Sequence, residues 1–137
     1  MTEAERLVRR MLGALRAASQ DAPGVTRTAY DAGEDAAHAI AAAEARALDA
    51  RIARDAAGNL YMTLPGADRG RAALLTGSHL DSVPHGGNFD GAAGVVAGLA
   101  AMADLCERGV TPPQDFTVVA FRAEEAASFP LSYPGSL

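Results

Sequence analysis

The stretch that most limits the fold runs from Gly91 to Arg108, GAAGVVAGLAAMADLCER. Val95, Leu99, Met102 and Cys106 recur at helical spacing as an apolar stripe. Gly91, Ala92, Ala93, Gly94, Ala97 and Gly98 leave the first turns thin, so this helix can lie close against a sheet. The runs on either side supply that sheet. ALLTGSH, residues 73–79, and FTVVAFRA, residues 116–123, are short apolar runs bounded by turn signals and read as buried strands. DARIARD and LYMTLPG, joined by AAGN, read as a hairpin. Residues 3–19 form an amphipathic pattern, with Leu7, Val8, Met11, Leu12 and Leu15 on one face. The turn-rich DAPGVTRTAYDAG separates it from an Ala-rich helix, Glu34 to Asp49, which carries His38. Two helices, three strands, a helix and a strand predict an α/β layered sheet, one domain over residues 1–137.

Bulk properties narrow the function. A net charge of −5 argues against broad nucleic-acid binding and against attachment to an anionic membrane. The single cysteine, Cys106, has no internal partner, which points to a reducing compartment; its place on the stripe predicts a packing role. MTEAERLVRRMLGAL carries charges throughout, unlike a signal peptide, and no run is long enough to span a membrane, so a cytoplasmic location is expected. The glycine-rich loop at 84–91 lacks Gly-Lys-Ser/Thr and does not present G-x-G-x-x-G after a strand, which argues against nucleotide binding.

Chemistry concentrates in two places: GSHLDSVPHGGNFDGAAGV, from Gly77 to Val95, and FRAEEAASFP, from Phe121 to Pro130. In an extended segment His79 and Asp81 point to the same side. A carboxylate there can accept the second imidazole N–H and orient a metal-bound His. Asp90 has two oxygens that could bridge two cations, or it could simply cap the helix that follows. Glu124 and Glu125 follow a strand, near the carboxyl end of a sheet where α/β sites gather. One can ligate while the other stays free as a general base. Plainer readings stand beside these. His79 can be a surface or capping residue, Asp81 the start of a turn in DSVP, and the acidic pair a solvated helix start. His38 and His85 read as ordinary polar residues.

TGSHLDSVPHGGNFDGAAGVVAGL together with FRAEEAASFPLSYPGS resembles the dinuclear zinc-dependent amidohydrolases of the N-carbamoyl-L-amino-acid hydrolase and allantoate amidohydrolase type, relatives of aminoacylases and zinc exopeptidases. The resemblance implies a layered α/β/α zinc-exopeptidase-like catalytic domain. It implies hydrolysis of linear C–N bonds in small ureido or amide compounds, such as N-carbamoyl amino acids or allantoate. His79 would ligate the first metal, Asp81 would orient His79, Asp90 would bridge both metals and Glu125 would ligate the second. Glu124 would be the general base that deprotonates a water held between the metals. The bond from Asp90 to Gly91 would be cis, and Gly86, Gly87 and Phe89 would shape the loop that delivers Asp90. The complete site would take two zinc ions, with manganese, cobalt or nickel as alternatives.

FRAEE, in place of the DEE ending common in the peptidase branch, favours the carbamoylase side. The aminopeptidase, dipeptidase or aminoacylase branch is the alternative, as is a non-catalytic fragment that associates with a complementary chain. Ala126 and Ser128 stand where many relatives have Gly and Arg. Family members are much longer, so the resemblance implies an N-terminal catalytic-domain portion without the lid and dimerisation domain that makes the family homodimeric. Further histidine ligands and a substrate-binding arginine would lie in the absent part. With His79, Asp90 and Glu125 as the direct ligands, weak metal binding, an inactive isolated chain and an open apolar sheet edge are expected.

Overall fold

The computed structural model describes residues 1–136. Helix α1 (Glu3–Ser19) opens at Thr2, whose hydroxyl accepts the Glu5 N–H while the Glu5 carboxylate accepts the Thr2 N–H. Its buried face is Leu7, Met11 and Leu15. Helix α2 (Ala32–Ala47) begins two residues before the expected Glu34, because Asp31 caps it by accepting the Ala32 N–H at 2.7 Å. The turn-rich break between them holds a two-residue ladder the sequence did not disclose, β1 (Gln20–Asp21) against β2 (Gly24–Val25). Val25 is also bridged to Gly86, which ties this break to the glycine loop.

The main sheet contains β3 (Arg51–Arg54), β4 (Leu60–Leu64), β5 (Leu74–His79) and β6 (Phe116–Phe121), in the order β3-β4-β6-β5. β3 and β4 form the expected hairpin, β4 and β6 are antiparallel, and β5 and β6 are parallel. Helix α3 (Ala92–Glu107) supplies the crossover between the parallel pair. Leu60, Met62, Phe116, Val118 and Ala120, alternate positions on one face of the sheet, join the buried residues of all three helices in a single core. The thinness of α3 is what lets it seat. A Cβ at Gly98 would come within 2.7 Å of Val118 Cγ2, and one at Gly94 within 2.6 Å of Ser78 Cβ.

Two expectations are corrected. β5 is an edge strand rather than a buried one, with Leu74 57% and Leu75 58% exposed. Its apolar composition permits burial, but only β6 flanks it among the described residues. Cys106 is exposed in the last turn of α3, its thiol 3.9 Å from the Leu48 carbonyl. The buried stripe is Val95, Val96, Leu99, Met102 and Ala103 and stops short of it. Among the described residues no helix is long and apolar enough to cross a membrane.

Candidate metal centre

Because β5 and β6 run parallel and in register, their carboxyl ends meet: His79, the last residue of β5, pairs with Phe121, the last of β6. The turn carrying Glu124 and Glu125 therefore emerges beside the segment carrying His79 and Asp81. His79 is 7% exposed. Its Nδ1 lies 3.2 Å from Asp81 Oδ1 and 3.1 Å from the Asp81 carbonyl. That leaves Nε2 facing outward, 3.6 Å from Glu124 Oε2 and 3.8 Å from Asp90 Oδ1. One nitrogen of His79 and one oxygen each of Glu124 and Glu125 lie within 4.8 Å of one another.

Asp81 is not a plain turn residue. It is buried, and its two oxygens accept the Glu124 N–H at 3.1 Å and the Glu125 N–H at 3.0 Å. One carboxylate thus fastens the imidazole on one side and the acidic pair on the other. Burial opposes its ionisation, but the His79 bond and the two backbone N–H groups outweigh burial and hold its pKa below the ordinary value. His79 moves the other way. Burial disfavours the imidazolium, yet Asp81, helped by Glu124, outweighs burial and raises the pKa.

Asp90 does not cap α3, since the cap position is Gly91 and no side-chain bond closes the helix start. Its carboxylate is exposed and turned toward His79. The expected cis bond from Asp90 to Gly91 is absent: the one cis bond among the described residues is Ala22–Pro23. The chain is redirected instead at Gly91, with φ 65° and ψ −52°, where the Ala92 N–H reaches the Asp90 carbonyl at 2.6 Å. A left-handed backbone favours glycine here, and so does space: a Cβ would sit 2.5 Å from the His79 ring.

The donor set fits a metal ion. One imidazole and three carboxylates converge, a combination suited to zinc and to manganese, cobalt or nickel. The 3.8 Å between His79 Nε2 and Asp90 Oδ1 lies inside the about 4 Å that two ligand–zinc bonds can span. Burial, then the neighbouring Asp90 carboxylate, raises the Glu125 pKa. Among the described residues no arginine pairs with Asp90, Glu124 or Glu125. His85 lies apart from the cluster, with Nδ1 3.4 Å from Asp21 Oδ2.

Sequence reasoning missed the polar groups beneath the centre. Glu34, fully buried, accepts from Arg122 at 2.9 Å, from the Ala123 N–H at 3.0 Å and from the Tyr30 N–H at 2.6 Å. Arg27 is also fully buried. His38 corrects the expectation of an ordinary polar residue: it is 0% exposed, and neither ring nitrogen has a hydrogen-bond partner among the described residues. The one available signal was the Glu34/His38 spacing on a single helical face.

Burial, then Arg122 and Arg54, lowers the His38 pKa from 6.5 to about 3. Between those values the unfolded chain takes up a proton that the folded chain refuses, so stability falls as pH drops through that window. Thermal denaturation from neutral pH downward should show a shallower decline for His38→Leu than for the parent. Parallel declines would assign the acid sensitivity elsewhere.

A family model described as peptidase family M28 matches residues 59–136, more than half of the chain. The chain is 38% identical over 136 residues to an N-carbamoyl-L-amino acid amidohydrolase of Geobacillus stearothermophilus, covering 99% of this chain and 33% of that protein. It is 38% identical over 82 residues to an allantoate amidohydrolase of Bacillus subtilis (strain 168), covering 60% of this chain and 20% of that protein. The crystal structure of a hydantoinase/carbamoylase family amidase from Burkholderia ambifaria matches with a TM-score of 0.90 at 34% identity, over 97% of this chain and 33% of that one. The chain thus spans at most about a third of the length of these relatives.

Proposed function

The chain belongs to peptidase family M28, and from that membership we propose that it carries metal-binding and base residues of a hydrolase acting on linear C–N bonds in small ureido compounds. The observation that carries the proposal is the convergence of Asp90, Glu124 and Glu125 on His79, with Asp81 fastening both halves. His79 and Asp90 would hold one ion; Asp90 and Glu125 would hold a second. When bound, the ions supply Lewis acidity, which polarises a carbonyl and makes water more acidic. Zinc as the ion and a homodimeric assembly of the whole protein belong to the same proposal, as does a cytoplasmic location.

The chain's own residues have separable tasks. Asp81 accepts from Nδ1 of His79, which keeps the proton on that nitrogen and leaves the Nε2 lone pair toward the centre. Through the N–H groups of Glu124 and Glu125 the same carboxylate fixes where the acidic pair begins. The Glu124 side chain is 36% exposed, open to water, and serves as the general base. Its carboxylate takes a proton from the attacking water and returns it to the departing nitrogen. The ureido preference is supported by relatives named for N-carbamoyl amino acids, allantoate and ureidoglycolate. The family model's description as a peptidase keeps dipeptides as the second substrate class to be tested.

The deciding assay supplies the complementary remainder of the Geobacillus stearothermophilus relative in trans, with added Zn²⁺ or Mn²⁺. N-carbamoyl amino acids and allantoate are compared with dipeptides. Faster ureido turnover is expected, with little turnover by the chain alone. Faster dipeptide cleavage would replace this reading with the peptidase one.

A further inference from the structure

Arg27 heads the fully buried side chains by volume, at 0% exposure, although a guanidinium stays charged at any working pH. Its hydrogen-bond partners among the described residues are neutral oxygens. Nε donates to the Leu80 carbonyl at 2.6 Å. One terminal nitrogen donates to Asn88 Oδ1 at 3.2 Å and to Ser19 Oγ at 3.3 Å; the other reaches the Asn88 carbonyl at 3.4 Å. The Arg27 N–H donates to Ser82 Oγ, and its carbonyl accepts the Ser82 N–H, both at 2.9 Å. A buried charge without an ion pair is an expensive way to fill space, since an apolar side chain would pack there without the desolvation penalty.

What the partners share is position. Leu80 lies between His79 and Asp81, Ser82 follows Asp81, and Asn88 stands two residues ahead of Asp90. Val25 anchors the start of the glycine loop through Gly86, while Arg27 anchors its end through Asn88, whose amide also donates to the Leu12 carbonyl at 3.1 Å on α1. The planar guanidinium offers donors in a fixed fork, so it sets the spacing of the two segments it touches. A lysine ammonium has three donors, but they converge on one nitrogen at the end of a flexible stem and do not hold that spacing. The carboxylates that this charge feels are Asp81 and Asp90.

We propose that Arg27 is the positioning residue that sets the separation of His79 from Asp90, and thereby the affinity of the centre for a divalent cation. The proposal rests on the metal-centre reading above. It is tested by titrating the chain with Co²⁺, following visible absorption, with circular dichroism to confirm folding. Arg27→Lys and Asn88→Ala are each compared in the parent and in an Asp90→Asn background. Asn88 is only half-buried, so its variant stays informative if Arg27→Lys does not fold.

In the parent background each substitution should weaken Co²⁺ binding about 10–100-fold. In the Asp90→Asn background each should change it by no more than about twofold. A merely structural role lowers stability and leaves the two backgrounds equally affected. Equal losses in both backgrounds, or no loss in the folded variants, overturn the role of Arg27. The underlying reading has its own control: Co²⁺ stoichiometry and affinity that His79→Ala leaves unchanged, or a parent that binds none, overturns the metal centre and this proposal with it.

Discussion

Glu124→Gln is expected to lower ureido turnover by about 10²–10⁴-fold while leaving Co²⁺ affinity close to that of the parent. The substitution keeps the size of the side chain and the backbone N–H that Asp81 holds at 3.1 Å, so it removes only the proton acceptor. Distance alone does not assign the role, since Glu124 Oε2 lies 3.6 Å from His79 Nε2, nearer than Asp90 at 3.8 Å. A base and a ligand therefore make different predictions at the same position. If Glu124 held an ion, its Co²⁺ affinity would fall together with turnover, as expected for Glu125→Gln. Turnover is measured on the complemented protein and affinity on the chain itself. A variant that keeps its turnover ends the general-base assignment.

Glu34→Ala should cost about 3–5 kcal/mol of folding stability, the range for removing one partner of a buried ion pair. Domains of this kind are stable by roughly 5–15 kcal/mol, so the loss takes a large share of the total. Arg122 would keep Asp35 at 2.7 Å, but that carboxylate is 63% exposed and replaces little of what Glu34 provides. The Ala123 N–H would lose its acceptor, at a residue held at φ 54°. A non-glycine residue in that region is disfavoured, so the surroundings must hold it there. Urea denaturation followed by circular dichroism gives the number; a loss below about 1 kcal/mol would mean that Glu34 is dispensable. Glu34 does not touch the metal centre, yet it anchors the turn from which Glu124 and Glu125 extend.

The parts of this fold that were legible are those whose signal is local. The thin face of α3 was readable because small residues cluster at its start, and the β3–β4 hairpin because AAGN separates two alternating runs. His79, Asp81, Asp90, Glu124 and Glu125 stood out because short motifs carry them. Which strand forms the open apolar edge was not legible, since Leu74 and Leu75 have the same composition whether or not anything covers them. Apart from the Glu34/His38 spacing, the burial of Arg27, Glu34 and His38 was hidden for a related reason. A polar residue in a helix or turn reads as solvated unless its long-range partners are known, and the hydrogen bonds of Arg27 and Glu34 to the centre's two halves span from 53 to 89 positions. The cis bond expected from Asp90 to Gly91 is not there. The left-handed glycine does the redirecting, and the peptide bond stays trans.

The parallel pairing of β5 with β6 has a consequence in time as well as space. His79 leaves the ribosome well before Glu124, and Asp81 must wait for a turn 43 residues later to satisfy its carboxylate. Between them α3 has to form and cross over before the two strand ends can meet. An ion offered to the nascent chain therefore has no organised set of donors to nucleate on. Its binding energy can enter only after the crossover has closed, as a lock on a finished topology. On that view, metal should slow unfolding of this protein far more than it speeds folding.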